Sequence, residues 1–320
     1  MTGRPWRVAM ADALYGPGGF YARGEAPAEH FRTSVHASPL FARALAELAR
    51  RAGLDTVVDI GAGDGELLGQ LHALCPDLSL HGVEVRSRPV RLPSVIGWSQ
   101  EPPETSSALV VANEWLDTVP CDVVVRPDGQ PRLVLVDQRG VERPGPRPDP
   151  TYLAWLDRWW PNADRAEVGT SRDAAWAGVL RRIRRGLAVA VDYAHQLANR
   201  PAGGTLVGYR NGRQIPPVPD RSSDLTAHVA IDSCAAAGRT AGATATLLLT
   251  QTDALGQLGV GRQPRPPAYR AAVDPRGYLR ELARAGQAAE LTDPTGLGGF
   301  TWLVQSVGVP IPLAGASQGT

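Results

Sequence analysis

A short β-branched run that leads into a glycine-rich turn is the feature that most limits what this chain can fold into. The run Thr56–Ile60 predicts a strand, and Glu66–Leu74 has the apolar spacing of a helix. The turn between them has Gly61 and Gly63 at alternate positions. Glycines let the backbone turn tightly and approach a ligand, and the start of the helix offers free N–H donors. The order strand, turn, helix predicts an α/β fold with a ligand at the turn.

Further strand-length runs alternate with helical stretches along the chain. Apolar runs occupy residues 80–85, 94–97, 108–112 and 187–193. Strands that alternate with helices predict a parallel sheet with helices on both faces. These runs lack polar alternation, which is typical of strands buried on both sides.

The remaining segments are less regular. A loop-rich arm is expected in the first 50 residues, followed by a helix from Pro39 to near Gly53. Residues 195–224 form a polar stretch rich in glycine, arginine and proline, and a loop of that length is usually functional or disordered. The other predicted elements are a hairpin of residues 122–125 and 133–136, helices at 152–160, 171–185, 225–237 and 275–285, and an antiparallel pair of 288–291 and 300–307.

The composition excludes several classes of function. A formal net charge of +1 lacks the basic excess of a nucleic-acid-binding protein, so no nucleic-acid partner is expected. Three scattered cysteines make neither a disulfide framework nor a metal pair, which predicts a reducing compartment and no metal. No apolar stretch approaches the roughly 20 residues that span a bilayer, and the start lacks the apolar run of a signal peptide. We therefore expect a cytoplasmic protein without membrane insertion.

The glycine turn also limits the kind of nucleotide. A dinucleotide fingerprint would need a third glycine at position 66, where this chain has Glu66. An acidic side chain there disfavours a pyrophosphate, whereas S-adenosyl-L-methionine carries a sulfonium and an ammonium but no phosphate. Glu84 lies 25 positions after Asp59, at the end of the second strand, where a carboxylate can bind ribose hydroxyls. S-adenosyl-L-methionine is therefore the predicted cofactor. The alternative for the glycine motif is an ordinary strand–helix turn, and the alternative for Glu84 is a surface glutamate at a strand end.

Polar side chains also follow the strand at residues 108–112. Ligands of open α/β sheets bind at the carboxyl ends of strands, and Asn113, Glu114 and Asp117 occupy that position. Asn113 is predicted to bond the methionine moiety, and Glu114 or Asp117 to hold the methyl acceptor. The alternative is a helix N-cap with solvated acids.

Short motifs spread over residues 10–305 resemble the MidA family, which includes the mitochondrial complex I assembly methyltransferases. The resemblance implies an α/β class I methyltransferase fold, Rossmann-like, with a seven-stranded sheet and an inserted α+β second lobe. In the mitochondrial members it implies methylation of an arginine on a respiratory complex I subunit. The matching pieces are residues 14–15, 19–21, 38–41, 59–63, 112–117, 191–193, 204–206, 209–210, 224–229 and 250–251.

The resemblance also implies residue roles and domain limits. Residues 1–52 are expected to form an N-terminal arm and helix on the acceptor side, and residues 53–309 the methyltransferase core. Insertions are expected at about 121–186 and 195–240, and a flexible tail at 310–320. The predicted cofactor-binding residues are Asp59, Gly61, Ala62, Gly63, Glu84 and Asn113, and the predicted substrate-binding residues are Tyr193, Tyr209, Arg210 and His228.

The chain departs from the family pattern at positions expected to face the acceptor. Val35 and His36 replace a Pro-Glu pair, Gly212 replaces a frequent histidine, and Ala230 and Ile231 replace Asp-Phe. His36 is therefore a third catalytic candidate, as a base in place of a carboxylate. A packed His228 and an N-capping Asp224 are alternatives to functional roles for those two residues.

Three functions follow from the sequence. The first is methylation of a protein arginine, and the second is methylation of a small molecule or another side chain. The third is a non-catalytic respiratory assembly factor that keeps the fold. The expected partners are a protein or small-molecule methyl acceptor and a second copy of the chain in a homodimer.

Overall fold

The structure of the chain is a computed structural model that describes residues 3–23, 33–104, 107–161, 163–261 and 264–315. Part of the predicted N-terminal arm, residues 24–32, and residues 316–320 of the predicted tail lie outside the described residues. Across the described ranges, no helix is both long enough and apolar enough to cross a bilayer.

Helices and strands alternate through most of the described chain. The helices are α1 (Trp6–Tyr15), α2 (Ser34–Ala37), α3 (Pro39–Ala52), α4 (Glu66–Leu74), α5 (Pro150–Trp159), α6 (Thr170–Arg181), α7 (Ile231–Thr240), α8 (Gln251–Gln257), α9 (Arg270–Val273) and α10 (Pro275–Leu291). The strands are β1 (Arg4–Pro5), β2 (Thr56–Ile60), β3 (Ser79–Val83), β4 (Gly97–Ser99), β5 (Ala108–Asn113), β6 (Asp122–Val125), β7 (Arg132–Val136), β8 (Glu142–Pro144), β9 (Arg165–Val168), β10 (Gly186–Asp192), β11 (Ala194–His195), β12 (Val207–Arg210), β13 (Arg213–Ile215), β14 (Asp224–Thr226), β15 (Val229–Ala230), β16 (Ala245–Thr250) and β17 (Thr301–Val307).

The main sheet has seven strands in the order β16-β17-β10-β5-β2-β3-β4. The five strands from β10 to β4 run parallel, and β17 pairs antiparallel with both β10 and β16. This sheet confirms the predicted class I methyltransferase fold. The carboxyl ends of its parallel strands lie along one edge of the sheet. The residues that follow β2, β3, β5 and β10 therefore lie close together at that edge.

Apolar side chains on both faces of the central strands hold the sheet between two cores. Along β5, Leu109 and Val111 belong to one core, and Val110 and Ala112 to the other. All seven residues of β10 are buried. Burial on both sides explains why these strands appear in the sequence as unbroken apolar runs.

Helix α3 confirms the helix predicted from Pro39. The Ser38 hydroxyl accepts a hydrogen bond from the Leu40 N–H and so caps the helix, which begins with Pro39. Pro39 is suited to this first position because its nitrogen has no hydrogen to leave unpaired. Gly53 ends the helix in the left-handed conformation, with a φ of 65°.

A second sheet lies outside the main one. Its path is β1-β7-β6-β9, with β8 paired to β7, and it contains the predicted hairpin of β6 and β7. Helix α1 packs against it, with Trp6, Met10 and Leu14 buried at a spacing of four. The predicted loop-rich arm is therefore partly helical. Its apolar spacing was hidden by the glycines and proline that follow directly.

Three other predicted elements are corrected by the structure. Residues 195–224 include β12 and β13, which join β14 in a small antiparallel sheet. Because β13 is largely exposed, its sequence lacks the apolar alternation of a buried strand. The helix predicted at 225–237 begins only at Ile231, since residues 224–226 pair with β12. Residues 288–291 end α10, so β17 pairs with β10 and β16 instead.

Candidate active site

The glycine turn after β2 is shaped by contacts that no larger residue would allow. Both Gly61 and Gly63 have positive φ, at 71° and 57°. The backbone N–H groups of Gly61 and Ala62 donate to the carbonyl oxygen of Val83, at 2.9 and 3.1 Å. A Cβ atom on Gly61 would lie 2.8 Å from Trp115 Cδ1. Glycine is therefore required for the chain to pass between β3 and the indole ring.

Glu84 is held at the end of β3 with its carboxylate beside the glycine turn. Its Oε2 accepts a hydrogen bond from the Gly63 N–H at 3.0 Å, and its Oε1 one from the Arg86 N–H at 3.3 Å. The Arg86 guanidinium is bound to Asp64, with 3.1 Å between Nη1 and Oδ1. Each carboxylate oxygen can accept a further bond, so Glu84 can still bind two hydroxyl groups.

Two adjoining cavities lie along this edge of the sheet. The first, of about 270 Å³, lies beside Glu84, and the second, of about 80 Å³, lies beside Asp59 and Asn113. We call the pair the cleft. Residues that line both cavities mark the junction between them: Tyr21, Gly61, Gly63, Glu114 and Thr118.

The hydrogen-bond acceptors of the second cavity fit the ammonium end of S-adenosyl-L-methionine. Asp59 is buried, and burial, with the nearby Glu66 and Glu84 carboxylates, raises the pKa of Asp59 to about 8. The buried Asn113 Oδ1 has no hydrogen-bond partner among the described residues. An ammonium group could satisfy both. Together with the carboxylate of Glu84 beside the larger cavity, these residues fit a cationic nucleoside.

Glu114 follows β5 in a conformation that is unusual for a residue with a side chain. Its φ is 51°, and a strained backbone of this kind often occurs at a functional site. Its Oε1 accepts from the Ser34 N–H and from Asn113 Nδ2, both at 3.2 Å, while the buried Oε2 has no partner among the described residues. Burial, with the nearby Asp117 carboxylate, raises the pKa of Glu114 to about 8.

Asp117 lies three residues after Glu114, and its backbone N–H is hydrogen-bonded to a carboxylate of the neighbouring strand. Asp192 ends β10, and its Oδ2 accepts hydrogen bonds from the Leu116 and Asp117 N–H groups at 3.0 and 3.2 Å. The outer oxygens, Asp117 Oδ1 and Asp192 Oδ1, have no described partner. Burial raises the pKa of Asp117 to about 6, and burial beside Asp117 and Glu114 raises that of Asp192 well above its ordinary value.

A fourth carboxyl group comes from the small antiparallel sheet. Asp224 in β14 is fully buried, and its Oδ1 accepts from the Tyr21 hydroxyl at 3.0 Å. Its Oδ2 has no described partner. Burial, with the Asp117 carboxylate nearby, raises the pKa of Asp224 to about 7. We call Glu114, Asp117, Asp192 and Asp224 the carboxyl cluster.

A buried arginine is hydrogen-bonded to the backbone around the carboxyl cluster. Arg172 of α6 is 1% exposed and donates to three backbone carbonyl oxygens. The distances are 2.8 Å to Asp117, 3.0 Å to His228 and 3.3 Å to Val119. Its charge opposes the rise in the pKa of Asp117 and Asp192. Arg172 therefore fixes the turn that carries Asp117 and supplies a positive charge near it.

The four predicted substrate-binding residues separate into two groups. Tyr193 stacks on His228 with ring centroids 5.6 Å apart, and the negative charges of Asp117 and Asp224 act on Tyr209. These three therefore lie near the carboxyl cluster. Arg210 is exposed at the end of β12, where its Nη1 is 3.4 Å from Ser222 Oγ.

His36 lies on α2, beside the second cavity. Its Nδ1 is 2.6 Å from Thr33 Oγ1, and its Nε2 is 3.4 Å from Glu66 Oε1. Both His36 and Glu66 line the second cavity. The closest carboxylate to the imidazole is thus that of Glu66, at the start of α4.

Four residues of the site had no predicted role. Asp192, the last residue of β10, follows Val191, which pairs with Asn113, so the rule for strand ends that identified Glu114 applied to Asp192 as well. Tyr15 and Tyr21 lie in family motifs, yet nothing local indicates that they reach the cleft. Arg172 could not be recognised at all, because its partners are backbone atoms far away in the sequence.

Comparison with known proteins agrees with this geometry. Residues 40–248 match the model of a family described as "Putative S-adenosyl-L-methionine-dependent methyltransferase". No curated protein matches the chain. A candidate methyl transferase from Burkholderia thailandensis, bound to S-adenosyl-homocysteine, is 25% identical, with a TM-score of 0.80 over 99% of this chain and 91% of that chain. An uncharacterized protein of the same superfamily and organism is 26% identical, with a TM-score of 0.81 and the same coverage.

Proposed function

This chain belongs to that family of S-adenosyl-L-methionine-dependent methyltransferases, and on this premise we propose that its methyl acceptor is a guanidinium group, that of a protein arginine. The observation that carries the proposal is the carboxyl cluster. Each of its four members has one buried oxygen without a described partner. A guanidinium is planar, carries a positive charge and has five N–H donors, so it can satisfy several such oxygens at once.

The arrangement of the cluster suits removal of a proton from a guanidinium. When bound, S-adenosyl-L-methionine supplies an electrophilic methyl group on its sulfonium sulfur. The acceptor nitrogen must give up a proton as its bond to that methyl carbon forms. Glu114 Oε2 and Asp117 Oδ1 are the candidates to take it, because their pKa values of about 8 and about 6 lie on either side of neutral pH.

The neighbouring residues hold these two carboxyl groups in place. Asp192 fixes the backbone of Asp117, and the Ser34 N–H fixes one oxygen of Glu114. Positioning of this kind supplies much of the acceleration of a displacement reaction. The resemblance to the MidA family supports the same acceptor, since its mitochondrial members methylate an arginine.

The same proposal assigns the cofactor to the cleft. Glu84 would bind the ribose, and Asp59 and Asn113 would bind the methionine end. We propose that the N-terminal arm and the inserted segments form the acceptor side. His36 is proposed as an orienting partner of Glu66 at the cofactor end, because its Nε2 is 3.4 Å from that carboxylate. A cytoplasmic location and a homodimer stay predictions.

A labelled-methyl assay tests the acceptor. The protein is incubated with S-adenosyl-L-methionine carrying a deuterated methyl group and a peptide library that contains arginine. A matched library has lysine at every arginine position. Mass spectrometry should find the label in methylarginine only. Label in lysine, in another side chain or only in small molecules would overturn the proposal and favour the alternative acceptors.

A further inference from the structure

Acidic side chains far outnumber basic ones in the lining of the cleft. Among the described residues that line the two cavities, seven are aspartate or glutamate and one is arginine. That arginine, Arg86, is already paired with Asp64. The one lining histidine, His36, is beside Glu66. This excess of acidic side chains favours a ligand that is itself positive, most strongly above pH 8, where the buried Asp59 and Glu114 are ionised.

An aromatic wall stands at the junction between the cavities. Tyr21 stacks on Tyr15 with ring centroids 5.4 Å apart and planes 25° apart. The Tyr21 hydroxyl donates to Asp224 and so fixes the orientation of its ring. Aromatic faces attract cations within about 6 Å of the ring centroid. The ring of Tyr21 is thus prepared to contact a positive charge at the junction.

Glu114 also lines the junction. One of its oxygens is held by Ser34 and Asn113, and the other is buried without a described partner. A buried carboxylate oxygen costs free energy unless a donor or a charge compensates it. An unpaired oxygen and an aromatic wall therefore meet where the two cavities join.

The sulfur of S-adenosyl-L-methionine lies between its adenosyl and methionine parts. With the ribose at Glu84 and the ammonium at Asp59, the sulfur falls at the junction. We infer that Tyr21 and Glu114 stabilise the positive charge on this sulfur. The cleft therefore binds S-adenosyl-L-methionine more tightly than S-adenosylhomocysteine, whose sulfur is neutral. This inference rests on the proposed placement of the cofactor. It implies that S-adenosylhomocysteine, once formed by loss of the methyl group, binds more weakly and is replaced more readily by S-adenosyl-L-methionine.

Calorimetric titration with both ligands tests the inference. At pH 8.5, above the pKa of about 8 that burial gives Glu114, the parent should bind S-adenosyl-L-methionine at least 10-fold more tightly than S-adenosylhomocysteine. Glu114→Gln and Tyr21→Leu should each lower this ratio at least about 3-fold, chiefly by weakening the charged ligand. Tyr21→Phe keeps the ring beside Tyr15 and should lower the ratio less than Tyr21→Leu. Glu101→Gln removes a largely exposed charge elsewhere in the cleft and should leave the ratio unchanged.

The outcomes separate this inference from the placement on which it rests. Glu84→Ala should weaken both ligands by the same factor. If it weakens neither, the placement itself is wrong, and the inference about the charge falls with it. If it weakens both, but the parent binds the two ligands equally or Glu114→Gln and Tyr21→Leu leave the ratio unchanged, the inference about the charge is overturned while the placement stands.

Discussion

The cleft proposed to hold the cofactor and the carboxyl cluster beside it are built in different ways. The residues proposed to bind the ribose and the methionine end come mostly from one continuous stretch, from Asp59 to Glu84. The carboxyl cluster combines the turn after β5, the end of β10 and the edge of β14, with Arg172 of α6 behind it. A site formed by one βαβ unit depends on local geometry. A site assembled from distant segments depends on how the second lobe packs against the sheet.

The largest expected effect tests the carboxyl cluster alone. Asp117→Asn removes a carboxylate proposed to receive the acceptor proton, so turnover should fall about 100-fold or more. Binding of S-adenosylhomocysteine should stay within about 2-fold, which also verifies the fold of the variant. Initial rates with an arginine peptide and calorimetric titration measure the two quantities. A variant with parental turnover would place proton removal elsewhere.

At Glu84 we expect the reverse, weaker cofactor binding with little loss of turnover. Glu84→Ala removes the carboxylate assigned to the ribose hydroxyls and should weaken cofactor binding by about 2–4 kcal/mol. At saturating cofactor, turnover should be largely restored, because the carboxyl cluster is untouched. Equilibrium titration and rates at rising cofactor concentration check this. Parental affinity would contradict the assignment of Glu84.

The dependence of stability on pH tests whether the carboxyl cluster is as buried as described. The pKa of each member is raised in the folded protein, so the folded state holds more protons than the unfolded state between the two values. The contribution of the cluster to stability is therefore largest near pH 4–5 and is lost as pH rises to about 8. Glu114→Gln should remove roughly 1–3 kcal/mol of this fall. Urea unfolding from pH 5 to 8 measures it, and an identical slope in the variant would contradict the burial.

The smallest expected effect concerns the glycine turn. Gly61→Ala places a Cβ against Trp115 at a φ of 71° and should lower the free energy of unfolding by more than about 1 kcal/mol. Gly69 in the middle of α4 is the matched control, since a Cβ there meets no other atom within 4 Å. Gly69→Ala should stabilise the protein by about 0.4–1 kcal/mol. Denaturation midpoints that move in the same direction for both would show that the turn tolerates a side chain.

The same contrast explains how far the sequence could predict the structure. Strands β2, β5 and β10 were recognisable because burial on both faces leaves unbroken apolar runs. Strand β13 was missed because it is exposed and carries polar residues. Helix α1 was missed because the glycines and proline that follow it directly hid the apolar spacing that runs along its whole length. Both of these elements lie outside the main sheet, where contacts between distant segments decide the structure.

The site divides along the same line. Gly61 and Glu84 could be assigned from the spacing within one βαβ unit. Asp192 could have been found by the rule that identified Glu114, but Asp224 could not, because its place in the cluster depends on the pairing of β12 with β14. Arg172 and Tyr21 likewise act through partners 55 and 203 positions away. Sequence reasoning therefore identified the residues around the glycine turn better than those that assemble the carboxyl cluster.

A crystal structure of the protein with S-adenosylhomocysteine would test the central claim most directly. The account predicts the ribose hydroxyls on the Glu84 carboxylate, the ammonium near Asp59 and Asn113, and the sulfur between Tyr21 and Glu114. The carboxyl cluster should then face the position of the missing methyl group. A ligand bound elsewhere, or a sulfur directed away from the cluster, would contradict both the placement of the cofactor and the proposed acceptor site.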